Sequence, residues 1–275
     1  MADTQIRLER ELRTKLTRFL SGTSGVRAAH RQALFEVFDR IKSNKWEAVL
    51  FGGTLRDLML YGPGHSPRDI DIVISNVDAD QIAASFMDCS SRRTRFGGLH
   101  LEYRGWLVDV WSLHDTWAIK NSGKFRADFD DLPRTTFLNV EAVIADLVPS
   151  RGKSRNIRDS GFFDAISQRL LDINYEENPF PTLCVVRSLI TAARLRFSIS
   201  RKLCKYLLHH AERVSPEELV DVQIKHYGTC TRKAEEFQFW LHAIASDYRS
   251  GSQAIRLPVA PEDQLHLFEE WLPAW

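Results

Sequence analysis

The chain has 275 residues, enough for one large domain or two small ones, and its 44% hydrophobic and 27% charged residues are the balance of a globular protein with a real core. Its 37 basic and 36 acidic residues leave a net charge of +1, so no overall field draws it to nucleic acid and any basic surface has to be local. Cys89, Cys184, Cys204 and Cys230 form no CxxC pair, the N-terminal residues alternate charge with apolar side chains, and no run reaches the ~20 apolar residues of a membrane helix. These features argue against thiolate metal sites, a disulfide framework, a signal peptide and a membrane span, and predict a cytoplasmic protein.

In chain order, residues 3–20 and 26–43 carry apolar side chains at helical spacing (Leu8, Leu12, Leu16, Phe19; Leu34, Val37, Phe38, Ile41) on either side of the breaker SGTSG. EAVLF (47–51) runs into Gly52-Gly53 and predicts a buried strand ending in a tight turn. TLRDLMLY (54–61) returns to helical spacing until GPGHSP stops it. DIDIVI (69–74) alternates strictly, which predicts a strand with acids on one face and isoleucines on the other. DADQIAASFMDC (78–89) reads as a helix. LHLEY (99–103) and WLVDVWSL (106–113) read as strands joined by a hairpin turn at Arg104-Gly105, and FLNVEAVIAD (137–146) as a further strand. From about residue 160 the period is helical to the end, with Ser200, Ser215 and Thr231 as candidate N-caps.

The chemistry concentrates in three places: the diglycine Gly52-Gly53, the acids Asp69 and Asp71, and a third acid, Asp109, on a later strand. Aspartates at i and i+2 of a strand share a face. Carboxylate oxygens suit Mg²⁺, and nucleotidyl transfer uses two such ions about 3.5–4 Å apart. Asp69 and Asp71 would hold both ions, and Asp109 the one that activates the attacking hydroxyl. The diglycine opens a helix whose amides and dipole can meet the triphosphate of an NTP.

Several stretches carry a family resemblance. GGTLRDLMLYG followed by RDIDIVIS resembles the GG-x-x-R-D-x-L-L-G and D-x-D of class II CCA-adding enzymes and bacterial poly(A) polymerases, members of the DNA polymerase β superfamily. TTFLNVEAVIAD, DSGFFDAI and VVRSLITAARLRFSI resemble three further segments of that family, in the family's order. The resemblance covers residues 46–200, the head and neck of such enzymes. It implies that Arg56 contacts phosphate or pins its helix, and that Arg134 and Arg187 contact the nucleotide; Arg68, just before the first acid, reads either as positioning triphosphate or as a solvent-exposed residue. The sequence departs from the family in two places. Arg134, in LPRTTF, stands alone where the family has an arginine pair. The base-selecting ED-x-x-R is reduced to Glu177-Asn178, with Cys184 in place of the first neck arginine and only Arg187 matching.

The expected fold is α/β: a polymerase-β-like nucleotidyltransferase palm (46–158), a small mixed sheet with flanking helices, preceded by N-terminal helices (1–45) and followed by a helical neck and C-terminal domain (159–275). The expected activity is Mg²⁺-dependent transfer of NMP from an NTP to a hydroxyl, foremost an RNA (tRNA) 3′ end. A toxin or defence-type enzyme modifying tRNA or a protein is one alternative, favoured by the eroded base-selection motif and by the short stretch after residue 200, where the tRNA-clamping body and tail are expected to be short or missing. A non-catalytic nucleotide- or RNA-binding module is another, and the acidic triad argues against it. The basic tracts RRTR (92–95) and RGKSR (151–155) read as loops or as contacts to acceptor phosphates. LHLFEEWLPAW (265–275) carries an apolar face expected to pack on its own chain or on a partner protein.

Overall fold

Alternation in the segment 69–74 decides the centre of the structure, because a strand with two different faces has to be covered on one and can stay open on the other. The computed structural model describes residues 2–21, 28–149 and 154–259. The chain divides into two compact units, Met1–Asp164 and Ala165–Trp275.

The first unit is built on a mixed sheet of seven strands: β1 (Ala48–Phe51), β2 (Ile70–Ile74), β3 (Ser90–Arg93), β4 (Leu99–Tyr103), β5 (Trp106–Ser112), β6 (Val143–Asp146) and β7 (Ile157–Asp159). Their spatial order is β3-β4-β5-β2-β1-β6-β7. Only β2 and β5 run parallel; every other neighbouring pair is antiparallel. On one face Leu50, Ile70, Ile72, Ile74, Leu99, Leu101, Val108 and Val110 are all buried. Helices α3 (Gly53–Tyr61) and α4 (Ala79–Ser85) pack on this face, and α1 (Ala2–Ser21) packs on α3. The expected stripe Leu8, Leu12, Leu16 and Phe19 is the buried side of α1, and the Lys15 Nζ donates to Met59 O of α3 at 2.7 Å. A second helix, α2 (Ala28–Ser43), buries Leu34, Val37, Phe38 and Ile41 in the same way.

The opposite face is divided. Toward the C-terminal ends of β2 and β5 it is apolar, with Val49, Val73 and Ile144 covered by Leu113 and Leu132 and flanked by Phe51, Trp111, Ile119 and Phe129. Ile119 comes from α5 (Trp117–Ser122) and Leu132 from a 3₁₀ turn over Leu132–Thr135. Toward the start of β2 the same face carries carboxylates and stays partly open.

Three expectations shift here. The segment 78–89 is helical only from Ala79 to Ser85, started by a capping box between Asp78 and Gln81. Beyond it the polar stretch Ser90–Arg93 is a strand, since pairing with β4 supplies its hydrogen bonds although all four residues are exposed. FLNVEAVIAD begins with a 3₁₀ turn, Asn139–Glu141, and only Val143–Asp146 is strand. The hairpin between β4 and β5 is as expected: Arg104 and Gly105 both have positive φ (48° and 86°), the geometry a two-residue turn needs to match strand twist.

The helix α6 (Phe162–Gln168) carries the chain into the second unit, where α7 (Pro181–Leu195), α8 (Arg201–Ala211), α9 (Pro216–Tyr227) and α10 (Ala234–Arg249) pack around Val185, Leu189, Leu203, Leu207, Phe237, Trp240 and Ile244. Ser200 and Ser215 cap α8 and α9 as expected. The cap of α10 is Lys233 instead of Thr231, because Thr231 gives both its amide and its hydroxyl to the buried Gln223 Oε1. An all-helical second half is also corrected: β8 (Leu170–Leu171), β9 (Ser198–Ser200) and β10 (Ala254–Arg256) form a three-stranded sheet in the order β10-β9-β8. Strands of two or three residues are too short to leave a period in a sequence. Among the described residues no helix is long and apolar enough to cross a membrane. The apolar segment 265–275 and most of RGKSR lie outside the described residues.

Gly98, at the start of β4, tests how tightly this unit is packed. A Cβ there would lie 2.9 Å from Trp111 Cβ and 3.1 Å from Val110 O. Gly98→Ala should therefore destabilise the protein by about 1–3 kcal/mol through overpacking, read as a lower denaturant midpoint with unchanged slope. An unchanged midpoint would mean that the hairpin gives way freely there.

Candidate active site

The parallel pairing of β2 with β5 places Asp71 directly opposite Asp109. Partners in register on neighbouring strands point to the same side, about 4.8 Å apart. Asp69 precedes Asp71 by two residues at the mouth of β2 and so faces the same way. The three sequence-predicted acids are thus gathered on one sheet face by backbone register, and all three are only partly buried. The side chains of Asp69 and Asp109 are occupied by neighbouring donors. Arg68 holds Asp69 Oδ2 through Nε at 3.2 Å and Nη2 at 2.5 Å. The His100 Nδ1 donates to Asp109 Oδ1 at 2.7 Å. Among the described residues no group of three or more His, Cys, Asp or Glu side chains converges on a common point as it stands. An all-carboxylate, partly open donor set nonetheless has the oxygen chemistry that suits a hard divalent cation.

The diglycine turn lies on the strand beside Asp71. Phe51, the last residue of β1, is its cross-strand partner, and the chain then turns sharply at Gly52, with φ 61° and ψ −115°. Side-chain-bearing residues rarely adopt that conformation. The Gly52 amide donates to Val143 O at 2.9 Å, and its carbonyl accepts from Leu55 and Arg56 at 3.1 Å each. No side chain caps α3, so its first amides are aimed outward beside the acids, as at any uncapped helix start. The Thr54 Oγ1 donates to Asp69 O at 3.2 Å, which ties the helix start to the first acid.

The remaining expected nucleotide contacts differ in placement. Arg68 is half-exposed at the site. Arg56 is 6% exposed: its Nε donates to Asp57 Oδ1 at 2.8 Å and its Nη1 to Glu141 Oε1 at 2.9 Å. Of the two roles the resemblance implied, this geometry favours pinning the helix start to the Asn139–Glu141 turn. Arg134 sits in the turn that supplies Leu132 to the sheet face. It pairs with Asp131 Oδ1 at 2.8 Å and lies 5.6 Å over the Phe125 ring. The Arg126 amide, and then Arg134, hold the Asp131 carboxyl below its usual range. Arg187 is half-buried on α7 of the second unit. Sequence reasoning overlooked His100, Thr54 and Glu141, which hold the site's acids and turn in place.

No protein-family profile and no curated protein matches the chain. Solved structures do, and they show the fold: an α/β fold shared with the CCA-adding enzymes. A CCA-adding enzyme in complex with CTP is 15% identical with a TM-score of 0.56, over 93% of this chain and 60% of that one. A tRNA nucleotidyltransferase complexed with a primer tRNA and an incoming ATP analogue gives 16% and 0.52, over 79% and 61%. The Thermotoga maritima CCA-adding enzyme complexed with tRNA gives 17% and 0.52, over 76% and 49%. The chain thus spans less than two thirds of the length of these structures.

If Arg56 acts as a pin, its removal takes a cation from the buried Asp57 and the partly buried Glu141. Arg56→Ala should cost about 3–5 kcal/mol in equilibrium unfolding, whereas Arg68→Ala, at a half-exposed position, should stay within about 0.5 kcal/mol. Equal stabilities for the two variants would return Arg56 to a purely substrate-facing role.

Proposed function

We propose that the protein is a Mg²⁺-dependent nucleotidyltransferase that moves an NMP group from an NTP to a hydroxyl, with the 3′ end of an RNA, tRNA foremost, as acceptor. The observation that carries this reading is the in-register Asp71–Asp109 pair, with Asp69 two residues before it and an uncapped glycine turn on the adjoining strand. The solved structures that share the fold are described as acting on tRNA or as complexed with tRNA, ATP or CTP.

Asp69 and Asp71 would hold both metal ions, and Asp109 the ion on the acceptor side. The bound Mg²⁺ supplies charge neutralisation for the triphosphate and the developing oxyanions. The rest falls to the chain. Gly52 lets the backbone bend so that the α3 amides can receive phosphate oxygens. Arg56 fixes that turn through Glu141. Arg68, half-exposed beside Asp69, would turn to the triphosphate. His100 restrains the Asp109 carboxylate as it faces the acceptor hydroxyl. The hydroxyl oxygen bonds to the α-phosphorus, the bridging bond to the β-phosphate breaks, pyrophosphate leaves, and the hydroxyl proton passes toward Asp109. A cytoplasmic setting agrees with four free thiols.

Base selection is proposed to be narrower or looser than an ordered CTP-then-ATP programme. Asn178 Oδ1 accepts the Phe180 amide at 2.9 Å and Glu177 Oε2 accepts the Tyr175 hydroxyl at 2.6 Å, so both residues of the eroded motif are engaged locally. Cys184 is buried. Sequencing the products made on a tRNA lacking its 3′ end should show a single nucleotide type or a mixture; an accurate CCA tail would refute this reading.

Incubation with Mg²⁺, each α-labelled NTP and total RNA should label RNA. Label on protein would redirect the acceptor, and the absence of label would remove the enzymatic reading. Asp71→Asn and Asp109→Asn should each lower the rate by roughly 10³-fold or more, since a metal contributes several kcal/mol to the transition state, with no loss of melting temperature. Near-normal turnover in either variant would overturn the metal assignment.

A further inference from the structure

The row that begins with the acids continues toward the edge of the sheet. Asp71 faces Asp109, Asp109 faces His100 across the hairpin, and His100 faces Arg92 on β3. All four side chains therefore leave the same face. The next residue, Arg93, is opposite Leu99 and leaves the other face, where it pairs with Asp80 of the α4 segment. Arg92 is exposed, and among the described residues it enters no ion pair. Two strand spacings separate its Cα from that of Asp109, about 10 Å, within reach of a backbone phosphate close to the 3′ end of an extended single strand. Arg95 and Phe96, at the tip that follows, are exposed as well. An exposed cation with an exposed aromatic is the pairing that takes backbone phosphate and base faces of single strands without regard to sequence. Among the described residues the exposed acid Glu102 lies on this face two residues from His100 toward the hairpin turn, which favours Arg92 over positions nearer that turn as the phosphate contact, and Asp115, which approaches the tip at Gly97, is paired with Lys120.

Resting on the nucleotidyltransferase reading, we infer that the edge formed by β3 and the 94–98 tip is the acceptor side of the site, with Arg92 receiving a backbone phosphate near the 3′ end of a single-stranded RNA. The diglycine turn flanks the acids on the β1 side and Arg92 flanks them on the β4 side. A triphosphate at the turn leaves the β3 side for the chain that supplies the hydroxyl.

The pair Arg92→Ala and Arg93→Ala tests this with neighbouring residues on opposite faces. The probe is a 3′-hydroxyl single-stranded RNA of twelve nucleotides carrying a 5′ fluorophore, titrated in EDTA by fluorescence anisotropy at several salt concentrations. Arg92→Ala should raise Kd roughly three- to ten-fold and flatten the slope of log K against log salt by about 0.7, the contribution of one phosphate contact on a single strand. Arg93→Ala should leave the slope unchanged, and the KM for NTP should be the same in wild type and both variants. Equal effects of the two substitutions, no effect of either, or a raised NTP KM in Arg92→Ala would overturn the inference. Wild-type protein that transfers NMP but does not bind this RNA would overturn it too, while leaving the transferase reading intact. Wild-type protein that binds the RNA with the expected Arg92 dependence but transfers nothing would instead sink the transferase reading.

Discussion

One pairing governs this structure: β2 lies parallel to β5 with Asp71 opposite Asp109. A parallel pair cannot be joined by a tight turn, so the chain between them must make a helix and a hairpin before it returns. That requirement accounts for α4, for β3 and β4, and for the placement of β5 beside β2. Slipping the pairing by one residue would send Asp109 into the layer of Ile70, Ile72 and Ile74. The buried isoleucines and the valines Val108 and Val110 therefore fix the position of the carboxylates from the opposite face of the sheet.

Gathering acids on one face carries an electrostatic cost, and the sequence offsets it locally. Arg68 immediately precedes Asp69, and His100 lies straight across the hairpin from Asp109. Both partners are held by side-chain bonds that a stronger cation can displace. The contrast is with Arg56, whose buried guanidinium bonds both the buried Asp57 and the partly buried Glu141; there the ion pairs tie the start of α3 to the Asn139–Glu141 turn. The site thus combines a rigid rear wall with a responsive front.

Much of this was legible. Strict alternation in DIDIVI, the Gly52-Gly53 stop and the apolar stripes of α1 and α2 are local patterns, and the elements they predict are present. The row from Asp71 to Asp109 depends on register between strands 38 positions apart, which no local pattern encodes. His100 was within reach: a two-residue turn at Arg104-Gly105 sets 103 against 106 and hence 100 against 109. The strand β3 was not, because Ser90–Arg93 has no apolar residue and exists only through its neighbour's hydrogen bonds. Likewise β8, β9 and β10 arise where helices leave short extended pieces side by side.

The strand β3 has one more property. Among the described residues it is the last strand on its side of the sheet, so there one row of its peptide groups has no strand beside it. Such a border invites a foreign strand to extend the sheet, the first step toward aggregation. Here two consecutive arginines project to opposite sides of the border, so that any added strand would press a guanidinium on either face. The pair of arginines that includes the proposed acceptor contact thereby also guards this border against another polypeptide.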